Sequence, residues 1–262
     1  MSVVLIERQV VHYEVLGRGR PLIFLHGWVG SWRYWIPVMQ AASMAYRAYA
    51  LDLWGFGDTA KYEPYYLLSK QVQLIDSFLY EMGIGRVALV GHGLGAVVAV
   101  NYALRNPDVV DRVMAVGYPL NENCINNRLR SATPMDMASW LLESSPLTEP
   151  VYTDAPKTDP RAVTTSLVGI SVGEEKDASQ RLHTSCLLVN GQKDQAITPP
   201  DLDAAMMLPE TTHAVTFDQS GHFPMLDEGS KFNRLMVDFL SLPSGDSPRQ
   251  LQLKEEWKRR VR

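Results

Sequence analysis

The sequence predicts an α/β fold, a mostly parallel sheet with helices packed on both faces. Three observations carry this. Short apolar runs recur along the chain, bounded by Gly or Asp. Helical stretches separate them. And 262 residues, 46% hydrophobic and 21% charged, suit one core of this type with room for an inserted piece. Short apolar runs closed by turn residues read as strands buried on both faces. Their alternation with helices implies parallel pairing.

The elements follow in order. Residues 3–7 and 10–16 are β-rich with a turn between them. Residues 21–25 run into His26-Gly27, residues 48–51 into Asp52, and residues 86–90 into Gly91. Further strands are expected at 113–116, 186–189 and 214–217. The clearest helix is 66–82, where Leu67, Leu68, Val72, Leu74, Ile75, Phe78, Leu79 and Met82 share one face and Gly83 supplies the stop. Residues 94–104 form a small-residue helix ended by Asn106-Pro107, and 232–240 an amphipathic one. Residues 120–183 break the rhythm, with Pro134, Pro146, Pro150, Pro156 and Pro160 and helical fragments such as 135–142. This stretch reads as a helical cap inserted over the sheet's C-terminal edge, with a long surface excursion as the plainer alternative. The expected organisation is a core of 1–119 and 184–242, a cap of 120–183 and a basic tail of 243–262.

Bulk properties narrow the function. A formal net charge of −4 gives no support for nucleic-acid binding. Cys124 and Cys186 lack zinc or CxxC spacing and read as reduced, partly buried thiols. The N-terminal stretch has no basic n-region, and Glu7 and Arg8 interrupt its apolar run, so it does not read as a signal peptide. No apolar stretch approaches the ~20 residues of a membrane helix. The predicted location is the cytoplasm. In the tail, Leu253, Trp257 and Val261 are spaced by four, as on a short amphipathic helix. Docking of that helix on the protein is favoured over contact with a membrane surface. No P-loop, dinucleotide fingerprint or metal-ligand cluster appears, and no cofactor is implied.

Four segments carry the chemistry: LHGW (25–28), DLWGFGDT (52–59), VGHGLGA (90–96), and GQKDQAITP (191–199) paired with SGHFPMLDE (220–228). In order and spacing they resemble the α/β-hydrolase superfamily, in its branch with an HG-x oxyanion loop and a helical cap. The likeness runs from about residue 10 to 240. That family carries its nucleophile in a G-x-S-x-G elbow. Here the segment reads Gly91-His92-Gly93-Leu94-Gly95, so glycine stands at the nucleophile position. Glycine tolerates the strained backbone of such a bend but offers no attacking atom. The resemblance implies Asp194 as the acid, His222 as the base, and the N–H groups of Trp28 and Leu94 as the oxyanion hole. His26 is expected to shape the oxyanion loop, Asp52 to order its turn, and His92 to be structural. Trp28, Trp32, Trp35 and Trp140 are candidates to line an apolar pocket, with core packing the default for any one of them. Ser31, Cys124, Cys186 and Ser220 are the candidate substitute nucleophiles, and none is favoured.

Three readings stay open. The protein binds a small apolar or ester/carbonyl-type ligand in a capped cleft and acts on it non-covalently through an Asp–His dyad and the oxyanion hole. It is a ligand-binding pseudoenzyme. Or it is a nucleophile-disabled form of an ester, lactone or C–C bond hydrolase.

Overall fold

In a computed structural model, which describes residues 2–172 and 178–251, eight strands form one sheet. They are β1 (Ser2–Ile6), β2 (Gln9–Leu16), β3 (Arg20–Leu25), β4 (Tyr46–Leu51), β5 (Val87–His92), β6 (Val110–Val116), β7 (Ser185–Gly191) and β8 (Thr212–Phe217). Their spatial order is β1-β2-β4-β3-β5-β6-β7-β8. Only the β1–β2 and β2–β4 pairs are antiparallel; the ladder from β4 through β8 is parallel. Ile6 pairs with Gln9, so Glu7-Arg8 is a two-residue hairpin turn. Both residues sit at positive φ, 48° and 64°, which matches the twist of the strands they join. No residue of β5 or β7 is exposed, as expected of strands covered on both faces.

The helices are α1 (Ile36–Ala42), α2 (Leu68–Met82), α3 (Leu94–Arg105), α4 (Arg128–Ser131), α5 (Pro134–Leu141), α6 (Glu149–Asp154), α7 (Pro160–Val172), α8 (Leu202–Met206), α9 (Pro224–Asp227) and α10 (Gly229–Leu240). α3 packs on β5 and β6 with α2 against it, and α1 packs on α10. Gly83 ends α2 in the left-handed conformation, as its place in the sequence predicts. Arg112, buried in β6, donates to Phe239 O, and Tyr46 donates to Leu240 O, so two side chains of the sheet hold the last carbonyls of α10.

Between β6 and β7 the described residues hold α4 to α7 and no strand beyond the single bridge of Ile125 with Ile197. The expected fragment 135–142 is α5, opened by a Thr133–Asp136 capping box. α7 is longer than any fragment expected here. Pro160, read as a breaker, is its first residue, where a missing N–H costs nothing.

Polar contacts fasten this excursion to the core. Buried Asp154 takes Ser31 Oγ, Arg33 Nε at 2.9 Å and Lys157 Nζ at 3.1 Å. Burial alone would raise its pKa, but these donors hold it below the ordinary carboxylate value. Lys157 reaches on to Asp58 at 3.0 Å. Arg161 pairs with Asp159 and Glu63, and Tyr66 donates to Asp159.

Both cysteines are free thiols. Cys186 points into the core from β7, and burial pushes its pKa up to about 12. Arg249 pins the start of the tail through Leu208 O at 2.8 Å. Leu253, Trp257 and Val261 lie outside the described residues. Among the described residues no helix is long and apolar enough to cross a membrane.

Candidate active site

The site forms at the C-terminal ends of β3, β5, β7 and β8, where the sheet delivers four loops to one place. β5 ends at His92, and the chain turns at Gly93 into α3. Gly93 has φ 50° and ψ −112°, donates to Val116 O at 2.8 Å, and accepts from Val97 N at 3.1 Å. L-residues rarely adopt that φ, which is one reason for glycine here. The flanking glycines serve close approach instead. A Cβ on Gly91 would overlap Gly95 O, and one on Gly95 would overlap Leu25 O.

The loop after β3 is braced from two sides. His26 Nε2 accepts from Leu53 N at 2.9 Å, and its Nδ1–H donates to Gly27 O at 2.8 Å. Burial lowers its pKa, consistent with the neutral ring this pattern requires. Gly27 N donates to the Tyr34 hydroxyl at 2.7 Å. The Gly27–Trp28 peptide is trans, so fixing Gly27 O on one side aims Trp28 N–H to the other. Among the described residues no acceptor takes Trp28 N–H or Leu94 N–H. The latter opens a helix, where the dipole favours negative charge.

Asp194 follows β7 and His222 follows β8. Asp194 Oδ1 accepts from Ala196 N at 2.8 Å and Ile197 N at 3.0 Å. Its Oδ2 accepts the His222 Nδ1–H at 2.8 Å, and both side chains are 2% exposed. A carboxylate only accepts, so Nδ1 carries a proton toward Asp194, and no described residue bonds Nε2. The arrangement supplies an imidazole held by a carboxylate, two N–H donors without a described acceptor, and at position 93 no side chain.

The Trp28 indole lies over Gly93. A Cβ on Gly93 would be 3.1 Å from its Cε3 and 3.2 Å from its Cζ3. Its Nε1 donates to Ser166 Oγ of α7 at 3.2 Å. Trp28 is 1% exposed, so this ring is buried between the bend and α7.

The other expected residues disperse. Ser31 serves Asp154, Ser220 donates to Glu228 at 2.8 Å, Cys124 faces Asn121, and Cys186 is in the core. No hydrogen bond joins any of them to His222. Trp35 stacks near Phe24 in the core, Trp32 faces His12, and Trp140 donates to Gln195. Asp52 does order its turn, accepting from Asp58 N at 3.0 Å, and it also takes Trp32 N and His12 Nδ1.

Where the sequence shows no metal-ligand cluster, the fold brings ligand atoms of His12, Asp52 and Asp58 within 4.8 Å of one another. The carboxylate oxygens of Asp52 already face protein donors, and Asp58 pairs with Lys157, so the group reads as an internal ion-pair network. Burial works to lower the His12 pKa, but its hydrogen bond to Asp52 and the charges of Asp52 and Asp58 outweigh it and raise the value. Sequence reasoning also missed Tyr34 and Ser166. Neither belongs to a local motif, and each has a partner distant in sequence, His92 for Tyr34 and Trp28 for Ser166.

Comparison with known proteins shows the family and the fold. Residues 22–235 match the model of the alpha/beta hydrolase family. A soluble epoxide hydrolase of Corynebacterium sp. (strain C12) is 35% identical over 105 residues, 39% of this chain and 36% of that protein. The match thus spans about a third of the length of the first curated relatives. The pimeloyl-[acyl-carrier protein] methyl ester esterase of Vibrio cholerae serotype O1 is 22% identical over 254 residues, 87% of this chain and 97% of that protein. The enol-lactonase from Burkholderia xenovorans LB400 superposes with a TM-score of 0.79 at 17% identity, covering 92% of this chain and 100% of that one, a likeness of fold. With a family match from β3 into α10 and an eight-stranded sheet of this topology, the chain belongs to the α/β-hydrolase family.

Proposed function

We propose that the bend at Gly93 is the family's nucleophile elbow with glycine in the nucleophile's place, and that residues 120–183 cap it. In this reading the protein takes a small apolar or ester/carbonyl-type ligand beneath the cap and acts on it without a covalent intermediate. The observation that carries the reading is the assembled Asp194–His222 pair, with no described residue bonding Nε2, on a loop at the same edge of the sheet as the bend at Gly93. His222 Nε2 takes a proton from a water molecule as the water oxygen bonds to the carbonyl carbon. The oxygen that becomes negative accepts from Trp28 N–H and Leu94 N–H. Asp194 stabilises the imidazolium. The tetrahedral intermediate then expels its leaving group, which takes the proton back from Nε2. The same base serves equally for direct removal of a substrate proton.

A second reading, ligand binding without turnover, has its own support. The Trp28 ring fills space over Gly93 and is tied to Ser166, which suits a protein that holds a ligand and does no chemistry.

The test starts with a fluorophosphonate probe and intact-mass measurement. No adduct is expected; an adduct on any side chain overturns the non-covalent reading. Turnover is then sought across esters, lactones and epoxides, in the unaltered protein and in His222→Ala. Activity abolished by His222→Ala supports the dyad, whereas activity that survives refutes it. Saturable ligand binding with no turnover moves the assignment to the second reading.

A further inference from the structure

Two fully buried titratable side chains have no part in the chemistry above, Tyr34 and His92. They stand between the oxyanion loop and the base. Gly27 N donates to the Tyr34 hydroxyl at 2.7 Å, that hydroxyl lies 2.9 Å from His92 Nδ1, and His92 Nε2 lies 2.8 Å from His222 O. The directions are forced. An amide N–H only donates and a carbonyl only accepts, so His92 carries its proton on Nε2 and Tyr34 gives its own to Nδ1. Burial pushes the His92 pKa well below and the Tyr34 pKa well above their ordinary values, which keeps both neutral and this proton order intact.

We propose that Tyr34 and His92 are positioning residues, a proton-ordered strut that locks the oxyanion loop to the backbone of His222 and so sets the distance between donors and base. The proposal rests on the reading of His222 as the base. Asp194 holds the His222 ring by its Nδ1, and His92 holds the same residue by its carbonyl. One grip alone leaves the ring free to swing about the other. The partners of His92 lie 58 and 130 residues away in sequence, so the strut joins segments that no local structure relates.

Packing supports the same line. The His92 ring centroid is 4.5 Å from that of His222 and 4.6 Å from that of Phe223, and Tyr34 meets His92 edge-on at 5.7 Å. At Gly27 a Cβ would come within 2.9 Å of His92 Nδ1, so the glycine of the LHGW segment leaves the space this ring uses.

The test reads the His222 ring and not turnover, so it stands even for a protein without measurable activity. In full-length protein labelled with 15N-histidine, the His222 Nδ1–H signal is identified by its loss in His222→Gln. His92→Met fills similar space without hydrogen bonds, and Tyr34→Phe removes the hydroxyl alone. Each is expected to speed exchange of the His222 Nδ1 proton with water by about fivefold or more, the scale set by losing one net hydrogen bond. His92→Gln, whose amide can accept from Tyr34 and donate to His222 O, is expected to exchange at the unaltered rate. Unchanged exchange in Tyr34→Phe overturns the proposal, even if melting temperature falls. So does an equal effect of Gln and Met at position 92, because packing alone would then suffice. Should His92→Met fail to fold, the comparison of Tyr34→Phe with His92→Gln decides the matter. A change in ligand turnover in Asp194→Asn bears on the functional reading and leaves this proposal standing.

Discussion

Replacing Gly93 by alanine adds one carbon at a place where two costs can be worked out. The first is backbone: holding an L-residue in the left-handed region costs about 1–2 kcal/mol. The second is contact. The new Cβ would lie 3.1 and 3.2 Å from two carbons of Trp28, inside the ~3.5 Å at which carbon contacts become favourable. The ring must slide by a few tenths of an ångström against its tie to Ser166, at about 1 kcal/mol. Loss of glycine's freedom in the unfolded chain returns about 0.5–1 kcal/mol. The net is a destabilisation of about 1–2.5 kcal/mol, and a fall in melting temperature of about 2–10 °C for a chain of this size. Thermal melts of the wild type, Gly93→Ala, Trp28→Phe and the double variant form a cycle. The smaller ring is expected to relieve the contact and leave the backbone cost, a coupling of about 1 kcal/mol. A neutral or stabilising Gly93→Ala would refute the left-handed bend, and additive effects would refute the indole's place above it. Gly93→Ser should carry the same penalty and gain hydrolysis of short p-nitrophenyl esters.

Two further outcomes follow from buried charge. The raised pKa of His12 means that its stabilisation is complete below its ordinary value near 6.5 and is lost as pH rises through the raised one. Melting temperature followed across that window should fall more steeply in the wild type than in His12→Gln, and parallel curves would exclude the role given to Asp52 as its partner. Asp154→Ala removes a buried carboxylate from Ser31, Arg33 and Lys157. The two cations are about one-third exposed and keep partial hydration, so the loss should be about 2–3 kcal/mol, short of the 3–5 of a fully buried pair. Urea unfolding measures it, and a change under about 0.5 kcal/mol, the size of a surface substitution, would rule the contact out as a fastening.

The inner strands were legible because they are short, apolar and closed by Gly or Asp, and in β5 and β7 burial on both faces leaves no polar alternation to confuse them. Residues 66–82 were legible through one apolar face, and Gly83 for its stop. The bend at 91–95 could be read because its three glycines stand at fixed spacing in one short segment, although only Gly91 is demanded by backbone contact inside that segment. Other features were hidden for stated reasons. Glu7 and Arg8 are not residues that announce positive φ, so the tight hairpin was visible only as a turn. Pro160 breaks a helix in its interior but opens one at its start, and sequence alone did not say which. The dyad emerged from motif order, whereas the strut of Tyr34 and His92 depends on atoms that only the folded chain brings within 3 Å. The place of the Trp28 indole over Gly93 was equally invisible, since it depends on which way one ring faces.

The fastening of α6 and α7 to the core is uneven, and that unevenness sets the order in which salt weakens its contacts. At one corner Arg161 and Glu63 meet in open water, 63% and 56% exposed. At another Asp154 is sunk among its donors at 1%. Dissolved salt weakens exposed charge pairs far more than buried ones. As salinity rises the exposed pair of Arg161 and Glu63 weakens first, while the buried contacts of Asp154 persist.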